Sequence, residues 1–143
     1  MLNSVNLIGR LTANPVLRYT NTSGIPVAGF SVAVQRRRPK DESKEQVTDF
    51  INVVAWQGTA EFVTNNFTKG QPIGISGRFQ QRKYTDRNGV LRYVHEIVAE
   101  NVAFAGFKRE DSQNASTASA GETAYYPNEA DYTEDFDPYA NAA

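Results

Sequence analysis

Three aromatic residues stand at spacings that could do chemistry on a flat, π-faced ligand. In "DFINVVAW", Phe50 and Trp56 lie six residues apart, an even number, so a regular strand carries both on one face. Asn52 and Val54 lie between them, while Ile51, Val53 and Ala55 point the other way and suffice to supply a core. The pair is then free to face solvent, although on its strand alone it reads more readily as core. Tyr84 ends a second alternating run, in which Arg78, Gln80, Arg82 and Tyr84 share a face. Arg78 and Arg82 are expected at the surface, because an unpaired buried guanidinium is costly. Lys83, Arg87 and Arg92 cluster near the same turn. Rings bordered by cations suit unpaired bases: each stacked base contributes roughly 1–3 kcal/mol, and the cations track phosphates and release counterions. Stacking accepts any base, so sequence tolerance follows. A duplex keeps its bases stacked internally and gains nothing from such rings.

The basic run Arg36, Arg37, Arg38 in "RRRPK" is less specific. Such runs are usually solvated loops, but this one precedes the Phe50 strand and can line the same groove as further phosphate contacts. Catalysis finds no support. His95 is the single histidine and there is no Cys, so there is no thiolate–imidazole pair and there are few metal ligands; Asp and Glu are scattered, with no ligand pattern in the folded part. "GRFQQRK" lacks the glycine spacing and the Lys-Ser/Thr end of a phosphate loop. Neither an enzyme nor a bound cofactor or metal is expected.

A net charge of −1 hides a division. All 15 Lys and Arg fall within residues 1–109 beside 8 acids, leaving +7; residues 110–143 hold the other 8 acids and no base. The second segment also lacks Leu, Ile, Val and Met, so it cannot build a core. Three segments follow: a folded domain 1–109, a flexible linker 110–128 and an acidic C-terminal tail 129–143. The charge asymmetry points to a polyanion-binding body with an acidic appendage, or to an ordinary surface with a solubility tail. Nothing reads as a signal peptide or a membrane span, so a cytoplasmic location is expected.

The domain reads mainly as strands. "SVNLIGRL" is the first, with "NPVLRYT" as an irregular continuation, since Pro15 cannot donate to a ladder. Ala28, Phe30, Val32 and Val34 alternate in the second, and "VTDFINVVAW" is the third. Ala60, Val63 and Phe67 recur at helical spacing, with Thr59 as the expected N-cap and Lys69-Gly70 as the stop. "QPIGISGRFQQRKY" is a long fourth strand, "TDRNG" a hairpin turn, and "VLRYVHEIVAENVAFAGF" the fifth strand. This order predicts a mainly β domain, a five-stranded OB-fold Greek-key barrel with one helix between strands 3 and 4, followed by a disordered acidic C-terminal tail. Another five-stranded barrel or an open sheet with one helix would give a similar string.

In "NLIGRLTANPVLRYT", "DFINVVAW", "KGQPIGISGRFQQRKYTDRNG" and "RYVHEIVAENVAF", the sequence resembles the bacterial single-stranded DNA-binding proteins, nearest in wording to those of Gram-positive bacteria and their phages. The resemblance runs over residues 1–107. It implies an OB fold, a homotetramer, and cooperative, sequence-independent binding of single-stranded DNA during replication, recombination and repair. Phe50, Trp56 and Tyr84 match the family's base-stacking positions, and Arg82 and Lys83 its basic pair. A further stacking aromatic that many members carry is replaced here by the "RRRPK" loop, which implies more salt-dependent binding. The resemblance also implies that replication, recombination and repair proteins grip the tail. Asp135, Phe136, Asp137, Pro138 and Tyr139 imitate the family's acidic Pro-aromatic tip, but "ANAA" follows, so such docking is expected to be weakened or altered.

Overall fold

The computed structural model describes residues 1–106. The expectations for the linker and the acidic tail, including the disorder expected there and the contacts of Asp135 to Tyr139, lie outside the described residues.

Alternating and β-branched segments form six strands: β1 (Val5–Leu11), β2 (Val16–Tyr19), β3 (Pro26–Gln35), β4 (Thr48–Trp56), β5 (Pro72–Thr85) and β6 (Leu91–Phe104). Five of them close a ring. β1 pairs antiparallel with β5, and β5 with β6. β6 lies parallel to β4 at Val53↔Ile97 and Val54↔Val98. β4 pairs with β3, and β3 returns to β1 at Arg10↔Ala33 and Leu11↔Val32. β2 occupies the rest of that same β3 edge, from Val16↔Gly29 to Tyr19↔Pro26. It is the irregular continuation that Pro15 implies, and it adds no sixth stave to the barrel. This is the expected OB arrangement, with the helix between the third and fourth barrel strands, here β4 and β5.

Closure needs close backbone approach at Gly77. A Cβ there would stand 2.0 Å from the Val98 carbonyl oxygen, and the β5–β6 register shifts between Ser76 and Gly77. The extra residue is Glu100 of β6, because Asn101 and Ala99 pair with the consecutive β5 residues Ser76 and Gly77. This bulge bends β6, so that one end of the β5–β6 pair joins the barrel wall while the other leaves it.

Phe30, Val32, Val53, Ala55, Ile73, Ile75, Ile97 and Ala99 fill the interior, as their alternation requires. The helix α1 (Gln57–Asn66) plugs one end with Ala60 and Val63, and Phe67 follows as its C-cap. Phe67 stacks on Phe104 at 4.7 Å between ring centroids. Two expectations about the helix ends need correction. Trp56, not Thr59, holds the N-cap position, and Thr59 is buried one turn in. Lys69 and Gly70 lie beyond the last turn; the helix stops at Phe67, whose N–H donates to the Val63 carbonyl. The barrel, not local capping, decides these ends, because β4 runs directly into the helix through Gln57 at a left-handed φ of 51°.

β1 accompanies β5 only as far as Gly77 and β4 meets β6 only near Val98. The outer parts of β5 and β6 continue together to Thr85↔Leu91 as a two-stranded arm. Its turn is held by Gly89 at a φ of 77° and by Asp86, whose carboxylate accepts from the Asn88 and Val90 N–H groups.

Candidate nucleic-acid interface

β4 carries Phe50, Asn52, Val54 and Trp56 on the outer face of the barrel, as the even spacing requires. The two ends of that face differ. Phe50 is 71% exposed, and its β3 neighbours in register, Ala33 with Ser31 and Gly29 beyond, are too small to cover the ring. Trp56 is only 3% exposed, against the expectation that it faces solvent beside Phe50. It packs with Val27, Val54 and Val98, and Ile25 closes over this second apolar cluster. Strand parity is local, but the cover comes from residues about thirty and forty positions away.

On the same outer face of β5, Arg78, Gln80, Arg82 and Tyr84 follow one another. Tyr84 is exposed, with the Arg82 guanidinium carbon 5.8 Å from its ring centroid. Arg82 itself departs from expectation: it is buried. The rule that an unpaired Arg avoids the interior is obeyed through a partner on the neighbouring strand. Arg82 Nε donates to Glu96 Oε1 at 3.0 Å, and Gln80 Nε2 donates to the same oxygen at 2.8 Å. Arg78 reaches Gln80 in turn, at 3.2 Å. Glu96 was missed by reading each strand alone. Counting the antiparallel register outward from the Asn-Gly turn sets it opposite Gln80, which is the signal that finds it.

Among the remaining predicted cations, two are held by carboxylates. Arg36 forms a two-pronged bond to Asp49 at 2.9 and 3.0 Å on the exposed surface, and this holds the Asp49 carboxyl below the usual carboxylate range. Arg92 donates to Asp86 at 3.0 Å. The Asp86 carboxyl is likewise lowered, first by the Val90 N–H and then by Arg92. Arg37, Arg38, Lys83 and Arg87 are exposed. The structure therefore brings Phe50, Tyr84 and the basic arm to the outer surface, and takes Trp56 and Arg82 into the layer beneath. No helix among the described residues is long and apolar enough to cross a membrane.

The model of the Single-strand binding protein family matches residues 2–105. A single-stranded DNA-binding protein of Clostridium tetani is 42% identical over 139 residues, covering 96% of this chain and 94% of its own. Single-stranded DNA-binding protein 3 of Clostridium acetobutylicum is 48% identical over 103 residues, 72% of this chain and 70% of its own. Single-stranded DNA-binding protein 2 of Listeria monocytogenes is 41% identical over 128 residues, 90% of this chain and 79% of its own. These sources agree with the resemblance to Gram-positive sequences.

Proposed function

The chain belongs to the single-strand binding protein family, and from that membership we propose that it coats single-stranded DNA without sequence specificity during replication, recombination and repair. The observation that carries this reading is Phe50. An aromatic ring left 71% exposed, on a strand face floored by small residues, is a stacking surface and not a core residue stripped of its cover. Tyr84 supplies a second ring, while Arg37, Arg38, Lys83 and Arg87 neutralise phosphates. Trp56 acts from below, as the packed floor of the face, and Arg82 braces Tyr84. No catalytic step, cofactor or metal belongs to this reading.

Assembly into a homotetramer belongs to the same reading, as does a cytoplasmic, nucleoid-associated location. So does recruitment of replication, recombination and repair proteins through Asp135, Phe136, Asp137, Pro138 and Tyr139. Deleting residues 129–143 should leave DNA binding intact and abolish such recruitment.

The direct test is fluorescence anisotropy of labelled oligothymidylate, with duplex DNA and matched RNA as competitors. Tight binding to the single strand, weakened by salt and by Phe50→Ala, is expected. Equal affinity for duplex would overturn the proposal.

A further inference from the structure

The loop between β3 and β4 is tied at its base by one side-chain pair. The two strands run past the core together. Val34 opposes Asp49 and Gln35 opposes Thr48, and the Arg36 N–H donates to the Val47 carbonyl at 2.9 Å, so the ladder reaches Arg36. Even positions on β3 and odd positions on β4 face the core, as Val32, Val34, Ile51 and Val53 do. Arg36 and Asp49 continue that inner side and are diagonal neighbours across the strands, within reach of a long side chain. The guanidinium Nε and Nη2 donate to the two Asp49 oxygens. The Gln46 side chain donates to the Arg36 carbonyl and closes the loop from its other end. Phe50 follows Asp49 directly and points the other way, so the pair is a brace behind the stacking ring and not a part of its face.

What the brace can do follows from its exposure. The two side chains are 63% and 41% exposed, and an ion pair so placed adds little to global stability. A two-pronged contact instead fixes geometry, because a planar fork meets a carboxylate in a set orientation. Arg37 and Arg38 are the next residues of the chain, and both are exposed. Beyond them Asp41 accepts from the Ser43 N–H and hydroxyl at 3.1 and 2.7 Å, which turns the acidic part of the loop back on itself. A basic segment held in place before a strand arrives loses less freedom on binding than a loose one. Both partners of the brace lie in one chain, so it does not depend on which faces other copies cover.

We propose that Asp49 is a positioning residue: through Arg36 it holds the β3–β4 loop so that Arg37 and Arg38 stand beside Phe50, ordered for the phosphates of a bound strand. This rests on the DNA-binding reading above, and it gives a carboxylate, a group that repels phosphates, a favourable part in that binding.

The test uses the full chain, labelled oligothymidylate and the variants Asp49→Asn, Arg36→Ser and Arg37→Ser/Arg38→Ser, alone and combined. Without DNA, hydrogen exchange across residues 36–47 should quicken in Asp49→Asn and in Arg36→Ser, while the thermal midpoint stays unchanged. With DNA, each of these two should lower affinity about fivefold at one fixed salt concentration, and their combination should lower it no further. The slope of log K against log salt should change little, since the released loop still meets the same phosphates after a costlier ordering. Added to Arg37→Ser/Arg38→Ser, Asp49→Asn should have no effect, because nothing is left to position. Tighter binding by Asp49→Asn with a steeper slope would make Arg36 a phosphate contact that Asp49 withholds, and overturns the proposal. Unchanged exchange overturns it too, as does a loss of affinity that persists in full without Arg37 and Arg38. If the wild-type chain binds no oligothymidylate, it is the underlying reading that fails, and the exchange result then judges the brace on its own.

Discussion

Arg82 and Glu96 form a buried ion pair between β5 and β6, with Arg82 Nε 3.0 Å from a Glu96 oxygen and Glu96 only 1% exposed. The pair joins the floor of the outer face to the exposed ring of Tyr84 above it. Removing one partner leaves the other charge buried. Glu96→Ala is expected to cost about 3–5 kcal/mol in urea unfolding. Replacing both residues with apolar ones of similar volume should recover most of that loss, while still weakening DNA binding, because Tyr84 loses its brace. A single variant as stable as the parent would remove the pair from this role.

Phe50 and Trp56 should separate cleanly. Phe50→Ala is expected to leave stability within about 0.5 kcal/mol and to lower affinity for single-stranded DNA about tenfold. Trp56→Ala opens a cavity among Val27, Val54 and Val98 and should destabilise by about 3–5 kcal/mol. Denaturant melts beside binding isotherms decide this, and a destabilised Phe50 variant would count against an exposed platform.

The three arginines of the "RRRPK" loop should not contribute equally to salt dependence. On a single strand each neutralised phosphate adds about 0.7 to the slope of log K against log salt, so replacing Arg37 and Arg38 with Ser should reduce it by about 1.4. Arg36 is held by Asp49, so Arg36→Ser should change the slope less than either neighbour. The measurement is a salt titration of affinity for each variant, and equal effects would contradict the pairing.

The hairpin turn should make stability depend on acid pH. The Asp86 carboxyl is lowered in the fold by the Val90 N–H and Arg92. The folded chain therefore binds that proton less readily than the unfolded chain. The contribution is complete above the ordinary Asp value of about 3.9, and is lost as pH falls from there through the lowered folded value. Asp86→Asn should flatten the acid limb of a plot of urea midpoint against pH. An unchanged limb would show that the turn adds nothing to it.

Gly77→Ala should be among the most damaging small changes. The added methyl would meet the Val98 carbonyl oxygen at 2.0 Å, where backbone cannot yield cheaply. Failure to accumulate as a folded species is expected. A normally melting variant would mean that the bulge can relax.

Much of the fold was legible because its signals are local. The alternation in β3 and β4, the Asn-Gly turn and the spacing of Ala60, Val63 and Phe67 each specify an element from neighbouring residues. The helix boundary was less legible: Thr59 is a good cap by type, but β4 turns into the helix at Trp56 and Gln57.

What the sequence by itself determined was the division of charge, the strand order, and which side chains share a face. A side chain's direction along a strand follows from parity alone. Only the tertiary structure decided what covers each face. It buried Trp56 under residues from β3 and β6 and left Phe50 bare beside Ala33. It supplied Arg82 with Glu96 from the neighbouring strand, and it carried Phe79 and Tyr93 out of the core by extending the arm past the barrel. Burial depends on neighbours distant in the chain, and for that reason the same alternating pattern is core at Ile75 and solvent-facing at Phe79.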